Sequence, residues 1–268
     1  MKKVDFDNEF KNPGSEYRSI PFWAWNDELD TDEIRRQIRE MKSCGIGGFF
    51  IHSRDGLETE YLSDKWFECV SAAVDEAKKN GMFSWLYDED RWPSGTCGGS
   101  ITATDKNSCK GLTLEVYFSV PEKIEGNVLA LYKTKVYEME IYSLERIRYA
   151  EGLILSDEEA LLIARLEVSG KSEWFNNSAP PDNLSFDTVS DFINNTHKKY
   201  KKAVGSEFGV TIPGIFTDEP SLADRHASFN PNRSWIPWTE EFEKYFFEKR
   251  GYDAVSYTHL RAHETGRN

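Results

Sequence analysis

Four apolar runs in this chain each end on polar groups of kinds that hold ligands and move protons. They are Asn26 after "PFWAW", His52 and Arg54 after "GGFFI", Asp88, Glu89 and Asp90 after "FSWLY", and Asp218 with Glu219 after "PGIFT". A pair of carboxyl groups can protonate a leaving oxygen and activate water or attack carbon, which is the chemistry of glycosidic bond hydrolysis. Asn, His and Arg hold hydroxyls, and the nearby Trp23, Trp25, Trp85, Trp92 and Phe216 offer faces on which a sugar ring can stack. One acid at the end of a run means little, because solvated loops carry acids. The same coincidence at four successive runs, each with aromatic neighbours, points to a carbohydrate pocket. Glu219 is the expected catalytic carboxyl, acting as general acid, with Asp218 orienting it or holding a hydroxyl. Adjacent residues on an extended segment point to opposite sides, so these two are not expected to form the pair themselves. The partner is then Glu89 or Asp88, or a residue outside this chain. Asn26, His52, Arg54, Asp88, Trp92 and Trp25 are the expected substrate contacts, while His197, on a helix with Thr196 and Tyr200, reads as structural. No HExxH or clustered His/Asp spacing supports a metal-first reading.

Such groups need a scaffold, and the pattern around them supplies one. Asp30 with Glu33 gives a capping-box-like helix start, followed by Ile34, Ile38 and Met41 on one face and a stop at Gly45. After "GGFFIHSR", Ser63 is a plausible N-cap for a second helix carrying Trp66, Phe67, Val70, Ala73, Val74 and Ala77, stopped by Gly81. "MFSWLYDED" is a third strand running into the Gly- and Ser-rich loop "RWPSGTCGGS". Three strand-helix steps with short links imply an α/β fold with a parallel sheet or barrel, and in a barrel the strand C-terminal ends carry the chemistry. From Gly111 the runs "LTLEVYFSV", "NVLALYKTKVYEMEIYSL" and "ALLIARLEV" are strand-like without helical period, which reads as an inserted β-rich subdomain. Helical spacing resumes at Val189, Phe192, Ile193, Tyr200, Ala203 and Val204 before the fourth run, and Thr239 is expected to cap a last helix ended by Gly251. The expected division is 1–110 for the first three barrel units, 111–175 for the insertion, 176–254 for the barrel continuation and 255–268 for a foreign tail. That tail, "VSYTHLRAHET" onwards, reads as the translation of a transposon sequencing adapter, so His259 and His263 carry no functional weight.

Composition narrows the partners. The chain has 268 residues, 39% hydrophobic, and a net charge of -13, which suits a globular protein and argues against nucleic acid or an anionic membrane surface as partner. No apolar run reaches the roughly 20 residues of a membrane span, and the first residues lack the apolar centre of a signal peptide, so a cytoplasmic protein is expected. Cys44, Cys69, Cys97 and Cys109 show neither CxxC pairing nor metal-ligand spacing and read as buried thiols.

"PFWAWNDELDTDEIRRQIREMKSCGIGGFFIHSR", "YLSDKWFECVSAAVDEAKKNGM", "WLYDEDRWPSGTCGG" and "FINNTHKKYKKAVGSEFGVTIPGIFTDEPS" together resemble the N-terminal part of the catalytic region in glycoside hydrolase family 106, the α-L-rhamnosidase-like enzymes. The resemblance covers most of Ile20 to Asp253. It implies a (β/α)8 TIM barrel, of which this chain holds about four strand-helix units. It also implies inverting hydrolysis of terminal α-L-rhamnosides or related deoxy-sugar linkages, and a calcium ion near the substrate. The residues alone leave two other readings open: a metal-dependent barrel enzyme such as a sugar isomerase, and a non-catalytic carbohydrate-binding protein.

Overall fold

The computed structural model describes residues 6–138, 140–222 and 233–255. The tail expected at 255–268 lies outside the described residues except for Val255. The fold is mixed α/β, with one parallel sheet of four strands and one antiparallel sheet of five. The chain divides into two compact units, Met1–Ile101 with Ser190–Pro220 and Thr102–Val189 with Ser221–Asn268.

The first unit opens with a short helix α1 (Phe6–Lys11) and then alternates: β1 (Phe22–Trp25), α2 (Thr31–Ser43), β2 (Gly48–Ser53), α3 (Asp64–Lys79) and β3 (Phe83–Tyr87). Local chemistry sets the boundaries. The Asp30 carboxylate accepts from the N–H groups of Asp32 and Glu33, and Ser63 Oγ accepts from that of Trp66, so both expected caps form. Glu33 does not complete a capping box. Its carboxylate turns outward to Arg36 and Gln37. Gly45 and Gly81, at φ 84° and 62°, end the two helices in a conformation that costs any other residue a Cβ clash.

Helix spacing decides what is buried. Ile34 and Ile38 of α2 and Trp66, Cys69, Val70, Ala73, Val74 and Ala77 of α3 pack on Trp25, Phe49, Ile51 and Leu86 of the strands. Each fully buried side chain of Ile or Val size contributes about 1.5–3 kcal/mol. The chain returns to this unit through α4 (Phe186–Asn195) and α5 (His197–Val204), and it then adds the short strand β8 (Ile215–Phe216). The sheet order is β1-β2-β3-β8, with every pairing parallel, so each strand is added beside its predecessor. Buried Trp66 donates from Nε1 to Tyr200 Oη at 3.2 Å, and Tyr200 donates to the Tyr87 carbonyl at 3.0 Å. These bonds tie α3 and α5 to the end of β3.

Alternation along the strands puts Trp23, Trp25, Phe49 and Ile51 on the helix-covered face and Phe22, Phe50, Trp85 and Phe216 on the other. Phe22 and Phe216 stand on the two edge strands, three strand spacings apart, which is roughly 14 Å between backbones in a flat sheet. Their ring centroids are nevertheless 5.1 Å apart. The sheet is therefore strongly coiled, and the aromatic face is its concave one.

The second unit carries β4 (Lys110–Tyr117), β5 (Asn127–Tyr137), β6 (Glu140–Ile147), β7 (Glu159–Val168) and β9 (Arg233–Trp238) in the order β6-β5-β7-β4-β9, all antiparallel, with α6 (Phe242–Arg250) after them. Leu112, Leu114, Tyr132, Leu162, Ala164 and Leu166 form one core, while Leu131, Leu161 and Ile163, one residue out of phase, form a second. Both faces of the sheet are apolar, which is why its strands read as continuous hydrophobic runs. Thr239 does not cap α6, which begins at Phe242. Its hydroxyl donates instead to buried Asp182 at 2.8 Å, beside the Lys110–Asp182 ion pair at 3.6 Å. A buried carboxylate needs donors more than an exposed helix end needs a cap. Cys69, Cys97 and Cys109 are buried as expected, but Cys44, just past the end of α2, is exposed.

Candidate active site

The C-terminal ends of β1, β2, β3 and β8 come together in the first unit. They bring His52, Arg54, Asp218, Glu219 and Trp92 of the expected residues around two features, a small cavity and a carboxylate-rich turn. The cavity, about 460 Å³, is lined by Phe22, Ala24, His52, Arg54, Phe216 and Asp218. These residues share the concave face because strand residues alternate, and the register sets Ala24 beside His52 and Tyr87 beside Phe216. Gly214 makes room for the aromatic floor, since a Cβ there would lie 2.8 Å from the Trp85 ring.

His52 is buried and stacks against Tyr87 with centroids 4.1 Å apart. Burial lowers its pKa, and the neighbouring Arg54 guanidinium lowers it further against the opposite pull of Asp218. The imidazole is thus held neutral, able to donate from one nitrogen and accept at the other. The Tyr87 hydroxyl donates to Asp218 Oδ2 at 3.0 Å. Burial and the adjacent carboxylates raise the phenol's pKa, so it stays a donor.

The turn that presents Asp218 and Glu219 is fastened from below by Asp88, which is fully buried. Asp88 Oδ1 accepts from Ser94 Oγ at 2.6 Å, and Oδ2 accepts from Thr217 Oγ1 at 2.7 Å and faces His197 Nε2 at 2.9 Å. Ser94 passes this on, since its hydroxyl accepts the Asp218 N–H at 2.8 Å and its own N–H donates to the Asp218 carbonyl at 2.8 Å. Trp92 Nε1 donates to Glu219 Oε2 at 3.1 Å. Glu219 has φ 40°, a left-handed conformation that a side chain rarely adopts and that persists only where the surroundings impose it. The expectation that Asp218 and Glu219 face opposite sides assumed extended backbone, and Glu219 has left it.

Apart from Glu219 and Trp92 at the turn, four expected site residues do not line the cavity. Trp25 is 2% exposed and packs edge-on against Trp66 in the core, because one residue of register separates it from the cavity-lining Ala24. Glu89 is 0% exposed, and both its oxygens are filled: Oε2 by the N–H groups of Gly95, Thr96 and Cys97, and Oε1 by those of Asp90 and Gly98. It folds the 95–98 loop around itself and has no open face toward a substrate. Asp88 is likewise closed by its donors and acts on the turn rather than in the cavity. Asn26 is exposed just after β1 but is not part of the cavity lining. The residues that sequence reasoning passed over are Tyr87, Ser94 and Thr217, while His197, read as structural, faces buried Asp88. The first was legible, since counting by twos from Trp85 puts Tyr87 on the concave face. The others depend on contacts across 109 to 129 residues of sequence, for which no local signal exists.

No family model and no curated protein matches the chain. Among solved structures, the chain is similar to the rhamnosidase from Novosphingobium sp. PP1Y, with a TM-score of 0.47 at 12% identity over 95% of this chain and 42% of that one. The chain spans less than half the length of that protein. A similarity of this size leaves the function to be argued from the residues. For calcium, the donor set does not fit. Among the described residues no three acidic, His or Cys side chains group to hold a cation, and the oxygens of Asp88 and Glu89 already face N–H and O–H donors. No helix among the described residues is long and apolar enough to cross a membrane.

Proposed function

We propose that this chain forms part of a glycoside hydrolase acting on terminal glycosides of the α-L-rhamnoside type, with the coiled four-stranded sheet as part of a (β/α)8 barrel. The observation that carries the reading is the turn at Asp218 and Glu219, held by Tyr87 and Trp92 at the rim of an aromatic-floored cavity. Glu219 is the general acid: it gives its proton to the glycosidic oxygen as the bond to the anomeric carbon breaks. Trp92 Nε1 donates to one of its oxygens and so fixes where the carboxyl points. Asp218, the carboxylate that lines the cavity, takes the proton from the water that attacks the anomeric carbon. Neutral His52 and the Arg54 guanidinium hold sugar hydroxyls, and Phe22 and Phe216 take the apolar ring face. Asp88, Ser94, Thr217 and His197 position the turn, and Glu89 the loop that carries Trp92.

The test is turnover of an aryl α-L-rhamnoside. Glu219→Gln should abolish it with the fold intact, and Asp218→Asn should reduce it by about a hundredfold or more. A near-normal rate in Glu219→Gln removes Glu219 from the reaction. The closure of Asp88 and Glu89 by their own donors also favours a non-catalytic sugar-binding protein. Saturable sugar binding without turnover, unchanged by Glu219→Gln, would establish that second reading.

A further inference from the structure

The cavity contains one feature that a neutral sugar does not need. Arg54 lines it, yet no hydrogen bond or ion pair reaches its guanidinium among the described residues. A solvated arginine without a partner is ordinary, but this one lies among acids. The carboxylates beside it in sequence or in the cavity lining have partners of their own. Asp55, the next residue, pairs with Arg91 at 2.9 Å; Asp90 accepts from Ser53 Oγ at 3.1 Å and lies 3.4 Å from Arg91 Nε; Asp218 accepts from Tyr87. Arg91 thus pairs with Asp55 and Asp90, while Asp218, which shares the cavity lining with Arg54, is held by a phenol hydroxyl. The positive potential this leaves is felt inside the cavity, where it acts on His52. With a net charge of -13 the chain as a whole repels anions, so a local cation kept unpaired in a cavity is what an anionic group would require.

We infer that this pocket accepts, in preference to a neutral sugar, an anionic one, a uronic acid or a sugar sulfate, whose oxyanion pairs with the Arg54 guanidinium in place of a hydroxyl while its ring lies on Phe22 and Phe216. A guanidinium presents two parallel donors to such a group, and its planar fork suits a carboxylate better than a lysine does. The inference rests on the carbohydrate reading of the pocket and is independent of turnover.

Calorimetric titration at low ionic strength with D-galacturonic acid, D-glucuronic acid, D-galactose 6-sulfate, D-galactose and D-glucose tests it. At least one charged sugar should bind about tenfold tighter than its neutral counterpart, the worth of a charge-assisted hydrogen bond. The better of the carboxylate and sulfate arms identifies the group. The advantage should disappear in Arg54→Gln and shrink with added salt, while thermal unfolding stays as in the wild type. Equal affinities, no saturable binding of any charged sugar, or an advantage that survives Arg54→Gln overturns the inference. Glu219→Gln should keep the preference, so a failed turnover assay with the preference intact removes the hydrolase reading alone. Turnover of neutral glycosides with no charge preference removes this inference alone.

Discussion

Replacing Glu89 by Gln changes one atom and should be among the most damaging substitutions in the first unit. Five backbone N–H groups converge on the two carboxylate oxygens, at 2.6 to 2.9 Å. Burial raises the carboxyl's pKa, against the pull of the N–H groups of Gly98, Asp90, Cys97 and Gly95. The donors decide the charge state, because a protonated oxygen would aim its hydrogen at N–H groups with no acceptor to receive it. Gln keeps one oxygen, which can serve the Gly95, Thr96 and Cys97 donors, and sets an NH2 group against those of Asp90 and Gly98. The Asp90 and Gly98 N–H groups then lose the carboxylate as acceptor, at about 1–3 kcal/mol each, roughly 2–6 kcal/mol in all. That is a large part of the 5–15 kcal/mol stability usual for a domain. Urea unfolding followed by tryptophan fluorescence measures the loss, and hydrogen exchange at the amides of Gly95, Thr96, Cys97 and Gly98 locates it. A loss below about 1 kcal/mol with unchanged exchange at those amides would refute the ionised-carboxylate reasoning.

Acidification should weaken the first unit through His52. A lowered pKa means that the unfolded chain takes its proton first, so the stability from neutral His52 is complete above about 6.5 and falls as pH drops below it. Relative to His52→Gln, the wild type should lose urea resistance on acidification; parallel pH profiles for the two proteins would count against the buried neutral imidazole. In Arg54→Gln, NMR titration of the His52 ring should give a higher pKa than in the wild type, and an unchanged value would separate the two side chains. Glu219→Gly should leave stability unchanged or raise it by up to about 1 kcal/mol, since glycine adopts φ 40° without a Cβ penalty. Turnover should be lost in the same variant. A clear destabilisation would mean that the Trp92 bond outweighs the backbone strain.

The parallel core was legible because its signals are local: apolar runs of strand length, caps at Asp30 and Ser63, glycine stops at Gly45 and Gly81, and helical spacing between them. The β-rich stretch was legible for the same reason, down to its lack of helical period. What period alone could not give was depth. Trp25 and Ala24 sit one position apart at a strand end that looks equally promising at both, and that one-residue step decides between core and cavity. Acids are still harder to place from sequence. Asp88, Glu89 and Asp90 form one acidic run, yet the first anchors a turn through side-chain donors, the second gathers a loop's N–H groups, and the third shares Arg91 with Asp55. Their roles follow from partners brought close by folding. The same holds for the two carboxylates that remain at the rim. Glu219 leaves the extended conformation at φ 40°, and the network that holds the preceding Thr217 and Asp218 runs through Asp88 and Ser94 at the junction of β3 with β8. The acids that looked like rivals for catalysis thus hold the turn on which catalysis would depend.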